Sequence, residues 1–365
     1  MSRTNELETL VDGRATAAGT RGFARKFAAI RGKGFYRQLP DGRAISSLGL
    51  GSYLGECDDA EDRRYCAIVL AALDHGINFI DTAINYRCQR SERCIGEALR
   101  QAMDRTGLTR EEFVVCSKGG YVPLDRTPPA TKEGYRGFLQ SEYYGRGVMS
   151  AEDVVSGGHC LTPRYIADQI ERSRRNLGLA CIDIYYLHNP EQQLDVLPRP
   201  QFFDVLRAAF AELEEHVDRG IIGAYGCSTW SGLRVPPDAR NYLSLSELVG
   251  LAVEVGGKAH HFGIVQLPIN LAMMEAVRAR NQDVQGERIS ALEAAARLGV
   301  GVVGSASLMQ GQLTRGLPEQ IRLTFPGFNT DARRALAFAQ SLPVMSSLVG
   351  MKSIDHLEEN LEDVS

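Results

Sequence analysis

The chain has no apolar run approaching the ~20 residues that a helix needs to cross a bilayer, which excludes a helical membrane anchor in the stretch given. It has no long run of lysine and arginine, and its net charge is −4, so the electrostatic footprint of a nucleic-acid or anionic-membrane binder is missing. The opening Met1-Ser-Arg-Thr-Asn-Glu6 lacks the apolar centre of a secretory signal, and the expected location is the cytoplasm. Eight cysteines are scattered without paired zinc-ligand spacings, and reduced thiols are expected for a chain of this size. Gly49-Leu-Gly51 is not followed by the third glycine of a Gly-x-Gly-x-x-Gly turn, so a Rossmann phosphate loop is not indicated. His159-Cys160 has no further ligand nearby in sequence and reads as loop, not metal site.

What is present is an alternation of strand and helix patterns. The strands fall at Leu48–Leu54, Asn78–Ala83, Phe113–Ser117, Ile182–Leu187, Ala224–Ser228, Ile264–Pro268, Val300–Ser305 and Ser346–Val349. Helical patterns follow each, among them Ala60–His75, Ser91–Arg105 with Ser91 as cap, Pro163–Leu177, Asp331–Ser341 and Ile354–Leu361. Near-continuous apolar strands are those of a parallel sheet covered by helices, and eight βα units favour closure into a (β/α)8 barrel. With 365 residues, 44% hydrophobic and 24% charged, one such barrel forms a single domain over 34–365. Phe35–Ile45 reads as a hairpin turning at Asp41-Gly42 and plugging the far end of the barrel. Residues 1–33 read as a loosely held N-terminal extension. Two connections, 121–161 and 271–289, are far longer than ordinary βα loops and follow strands, which places them over the catalytic mouth. The first carries Tyr135, Phe138, Tyr143 and Tyr144 among many glycines, a pattern suited to a mobile lid that closes an apolar wall over substrate.

Asp81, Lys118 and His188 sit at the C-terminal ends of three successive predicted strands, and Tyr86 follows Asp81 closely. In a barrel those ends converge on one mouth, where chemistry is done. Each residue alone has an ordinary explanation: a cap, a loop phenol, a paired ammonium, a satisfied imidazole. Jointly they suit carbonyl reduction. Hydride addition leaves an alkoxide that needs a proton, and a phenol supplies it if its phenolate is stabilised by a nearby ammonium that an aspartate holds. An imidazole can orient the carbonyl oxygen.

Asp81-Thr-Ala-x-x-Tyr86, Gly223-x-x-Gly226-x-Ser228, Val265-Gln266-x-Pro268-x-Asn270, Leu308-x-x-Gly311-x-Leu313 and Gly350-x-Lys352-Ser353 ahead of Glu359-Asn360 resemble, in order, the motifs of the aldo-keto reductases. The likeness runs over roughly residues 35 to 361 and is that of a divergent, bacterial-type member with a long insertion after strand three. It implies an NAD- or NADP-dependent oxidoreductase interconverting a carbonyl and an alcohol, with Tyr86 as general acid/base, Lys118 tuning it, Asp81 supporting Lys118 and His188 on the substrate oxygen. It further implies that Ser228 and Gln266 hold the nicotinamide carboxamide. Asp81, Gly51 and Ser52 would face the ribose, and Leu308 and Gly311 the pyrophosphate. Lys352 and Ser353 would meet the adenosine phosphate, and Glu359 and Asn360 the adenine.

The chain departs from the family pattern at Thr229, where asparagine is usual, at Ser305, where an aromatic commonly stacks on nicotinamide, and at His356, where an arginine often grips the 2′-phosphate. The last departure leaves NAD against NADP open and leans toward NAD. Tyr53 and Trp230, at the ends of strands one and five, are candidates for the substrate wall. The rival reading is a barrel that binds nicotinamide cofactor as a sensor or partner subunit with negligible turnover. The sequence sets no oligomeric state and no particular substrate.

Overall fold

The computed structural model of the chain describes residues 10–155 and 157–362. Eight parallel strands close into a barrel: β1 (Leu48–Gly51), β2 (Phe79–Asp81), β3 (Val114–Gly119), β4 (Ile184–His188), β5 (Tyr225–Ser228), β6 (Phe262–Pro268), β7 (Gly301–Ser305) and β8 (Ser346–Val349), with β8 pairing back onto β1. Helices follow the strands and cover them, and Pro163–Leu177, Asp331–Ser341 and Ile354–Leu361 span the residues that the sequence pattern marks. At Gly226 in β5 a Cβ would lie 1.7 Å from the Ile264 carbonyl oxygen, so only glycine lets β5 pass β6 at the register shift there.

The barrel interior is filled by Phe79, Val114, Cys116, Ile184, Tyr186, Ile264, Val303 and Leu348. Leu39 and Ile45 of the hairpin Tyr36–Gln38/Ala44–Ser46 join this cluster beside Phe79, Val114 and Ile184, the first residues of their strands. The hairpin therefore closes the end opposite the strand tips.

Residues 10–33 are docked, which corrects the expectation of a loose extension; residues 1–9 lie outside the described part. Helix Ala17–Lys26 is capped by Thr16, whose side chain accepts from Gly19 N at 2.9 Å, and it buries Thr20 and Phe23. Ala15 N donates to Asp183 Oδ1 at 2.8 Å and Val11 N to Gly178 O at 2.8 Å. Ala15, Phe23, a partly buried Phe27 and a few hydrogen bonds to distant residues hold the segment, a signal too sparse for periodicity to register.

The insertion is also corrected. It forms helix Lys132–Leu139 and a wider turn over Gln140–Tyr144. Tyr143 is fully buried, its ring 6.0 Å from that of Tyr165 and 5.0 Å below the Arg172 guanidinium, both on helix Pro163–Leu177. Tyr135, Phe138 and Tyr144 are half-buried against the same apolar layer. Tyr143 packs on that helix, Phe138 packs on Tyr143, and none of the four aromatics lines the cavity at the strand tips.

Candidate active site

Strand register brings the predicted groups together. Gly51 lies beside Asp81, Asp81 beside Cys116, Lys118 beside Tyr186, His188 beside Ser228, and Ser228 beside Gln266. Adjacent tips thus present their side chains to one space.

Lys118 is completely buried, and its Nζ lies 2.5 Å from Asp81 Oδ2, 2.8 Å from the Thr82 carbonyl and 3.4 Å from Tyr86 Oη. Burial works against the Lys118 ammonium, but Asp81 and Tyr86 outweigh it and hold its pKa above the ordinary lysine value. Burial pushes the Tyr86 phenol above the ordinary tyrosine range, with Lys118 pulling the other way. The sequence reading had Lys118 lowering this pKa; its pull is present but desolvation is larger. Tyr86 therefore keeps its proton at neutral pH. His188 is pushed well below its ordinary value by burial and by Lys118, so it is a neutral imidazole, and its Nδ1 has no hydrogen-bond partner. Its ring meets that of Tyr86 at 5.8 Å.

Behind His188 stands His159, a group whose role the sequence did not disclose. Its Nε2 donates to the His188 carbonyl at 2.7 Å while its Nδ1 accepts from Gln193 Nε2 at 2.8 Å, an assignment set by the fixed acceptor on one side. Burial pushes its pKa down to about 4, so the ring stays neutral and keeps this tautomer. Tyr121 packs edge-on against both imidazoles, at 5.0 and 5.1 Å.

The turn that carries Tyr86 is unusual. Arg87, Cys88 and Gln89 have φ of 48°, 54° and 66° in succession, a left-handed run of three residues that are not glycine. Arg87 is tied there by Asp62 at 2.5 Å and the Glu56 carbonyl at 2.8 Å, with its guanidinium over the Tyr65 ring. The following helix starts at Arg90, and Ser91 is no cap: its hydroxyl donates to the Ser52 carbonyl at 2.8 Å. Cys57 and Cys88 bring their sulfurs to 3.4 Å, and all eight cysteines are free.

A cavity of about 1040 Å³ runs over these tips. Near Tyr86 and His188 it is walled by Tyr53 and Trp230, both half-exposed at the rim. Ser228, Thr229 and Gln266 line it with Gly51, Ser52, Asp81 and Ser305. Leu308, Gly311, Lys352, His356, Glu359 and Asn360 line the same cavity. Two predicted residues fall elsewhere: Lys118 lies beneath the floor, and Ser353 caps helix Ile354–Leu361 by accepting from His356 N at 3.2 Å. Asn85, Tyr121, Asn189 and Ser307 line the cavity and were not anticipated, although Asn85 and Asn189 adjoin Tyr86 and His188 in sequence.

Gln266 links Ser228 to the tetrad formed by Asp81, Tyr86, Lys118 and His188. Its Nε2 donates to Asp81 Oδ1 at 2.7 Å and its Oε1 accepts from Ser228 Oγ at 3.1 Å. Glu191 fixes the rim by accepting from the backbone N–H groups of Trp230, Ser231 and Gly232 at 2.8 to 3.2 Å.

The sequence model of the aldo/keto reductase family matches residues 47–323. D-threo-aldose 1-dehydrogenase of Pseudomonas sp is 31% identical over 188 residues, 51% of this chain and 50% of its own. The NADH-specific methylglyoxal reductase of Escherichia coli is 29% identical over 209 residues, 56% of this chain and 53% of its own. The chain thus spans about half the length of the curated relatives it matches. A solved aldo/keto reductase from Klebsiella pneumoniae, in complex with NADP and acetate, superposes with a TM-score of 0.57 at 20% identity, covering 91% of each chain, a likeness of fold. With more than half its length matched by the family's sequence model and the tetrad assembled at the strand tips, the chain belongs to the aldo/keto reductase family.

Proposed function

We propose that this protein is an NAD(P)(H)-dependent oxidoreductase that interconverts an aldehyde, ketone or sugar carbonyl with the alcohol, with Tyr86 as proton donor. The observation that carries this reading is the line Tyr86–Lys118–Asp81 under a cavity that also holds His188. A dinucleotide fits the residues present. One cavity is lined by His188, Leu308 and Asn360 together, and the hydroxyls of Thr229 and Ser307, both lining it, are buried without partners among the described residues. Thr229, Ser228 and Gln266 would hold the carboxamide end, and Leu308 and Gly311 the pyrophosphate.

The nicotinamide supplies or accepts the hydride when bound. Tyr86 Oη gives a proton to the oxygen as charge develops there, and Lys118 stabilises the phenolate that results. Asp81 keeps Lys118 charged in a buried place. Neutral His188 holds the carbonyl oxygen by an N–H and adds no charge of its own. Unpartnered Asn85 Oδ1, with Asn189 and Tyr121 alongside, gives the substrate end hydrogen-bonding walls suited to a hydroxylated carbonyl such as a sugar. The two curated relatives act, by name, on an aldose and on methylglyoxal, which agrees with a small polar substrate. Turnover of a panel of aldehydes, ketones and sugars with NADH and NADPH tests the reading; binding of either nucleotide with no turnover of any would favour a sensor instead.

A further inference from the structure

Lys352, His356, Glu359 and Asn360 line the cavity together. Lys352 is not a free cation. Its Nζ lies 3.3 Å from Oε1 of Glu61, on the first turn of helix Asp59–Asp74. Glu61 is only 3% exposed, and the same Oε1 has no hydrogen-bond partner among the described residues. The other oxygen meets Arg64 at 3.0 Å. Gly55, at φ 132°, lies directly over this carboxylate, where a Cβ would come within 2.4 Å of Oε1. The loop after β1 thus seals Glu61 from solvent and leaves Lys352 as the cation on that oxygen.

Building on the cofactor reading above, we infer that Glu61 is a specificity-determining residue that selects a nicotinamide dinucleotide without a 2′-phosphate, by holding Lys352 as its counter-ion. A phosphate monoester brings a charge of about −1.5 to −2 at neutral pH. If Lys352 turned toward it, the buried Glu61 carboxylate would keep Arg64 on one oxygen but lose its cation on the other, and removing one partner of a buried ionic group is unfavourable. If Lys352 stays, the phosphate meets an already neutralised pair, with Glu359 nearby and an imidazole at His356 in place of a guanidinium. A 2′-hydroxyl asks for no cation and leaves the pair intact. Glu61 acts through Lys352 and does not itself line the cavity.

The test is the dissociation constant of NADH and of NADPH, read by fluorescence titration, for the native chain, Glu61→Gln and Glu61→Gln/Lys352→Met. The native chain binds NADH about tenfold or more tighter than NADPH. Glu61→Gln tightens NADPH by about tenfold and leaves NADH within about twofold, and the double variant loses that gain. An unchanged NADPH constant in Glu61→Gln, or a gain that survives in the double variant, overturns the inference while leaving the cofactor reading standing. Failure of the native chain to bind either nucleotide overturns both. Should Glu61→Gln not fold, Lys352→Met alone decides. A residue already held by Glu61 changes NADPH affinity by less than about threefold on removal, whereas a free phosphate-binding lysine loses tenfold or more.

Discussion

Gln266 and Asp81 share a buried hydrogen bond of 2.7 Å, so one amide couples the residue expected on the nicotinamide to the carboxylate that holds Lys118. Gln266→Leu leaves Asp81 Oδ1 without a partner inside the protein, a loss of about 1–3 kcal/mol in stability. Cofactor affinity and kcat should fall together in this variant, because one side chain serves both. Cofactor titration beside steady-state kinetics checks it, and a fall in kcat with unchanged affinity would separate the two roles.

Lys118 opposes the upward push of burial on Tyr86. In the proposed mechanism reduction uses the protonated phenol, so its rate is kept at low pH and lost as pH rises through the Tyr86 pKa. Lys118→Met removes the opposing charge, which moves that alkaline limb to still higher pH. It also lowers kcat by about 10²-fold or more, since the forming phenolate loses its neighbour. The pH–rate profile of the variant is the measurement.

His159 has a folded pKa of about 4 against an ordinary 6.5. Between those values the unfolded chain binds the extra proton and the folded chain does not, so stability falls as pH drops from 6.5 to 4. The contribution is on the order of 3 kcal/mol at the acid end. Denaturant melts at stepped pH should show a shallower acid loss for His159→Asn than for the native chain.

Tyr143 lies wholly in the layer between the insertion and helix Pro163–Leu177. Tyr143→Ala should lower stability by about 3–5 kcal/mol, seen as a reduced Tm, with KM within about twofold of native. A large rise in KM with an unchanged Tm would restore the lid that the sequence suggested.

The barrel was readable because apolar runs bounded by glycine and polar residues recur eight times, and because chemistry in such a barrel gathers at strand tips. Asp81, Lys118 and His188 mark three of those tips directly. Features that depend on contacts between distant segments left no local trace. Ala15 on Asp183, Glu61 on Lys352 and His159 behind His188 are pairings of this kind. Ser91 was misread because a serine before an apolar-periodic segment looks like a cap, whereas here the left-handed turn at 87–89 starts the helix one residue earlier and frees the hydroxyl for Ser52. Position after β3 points the aromatics of 121–161 to the mouth, whereas Tyr143 is buried against the neighbouring helix and Phe138 packs on it.

The most direct test is Tyr86→Phe, assayed for kcat and for cofactor affinity on the same preparation. Removing a proton donor deletes an interaction made in the transition state and little ground-state binding. The account predicts that kcat for carbonyl reduction falls by about 10²–10⁴-fold while the nucleotide Kd stays within about twofold. A Tyr86→Phe protein that keeps more than about a tenth of native kcat would contradict it, since general acid catalysis is worth far more than that factor.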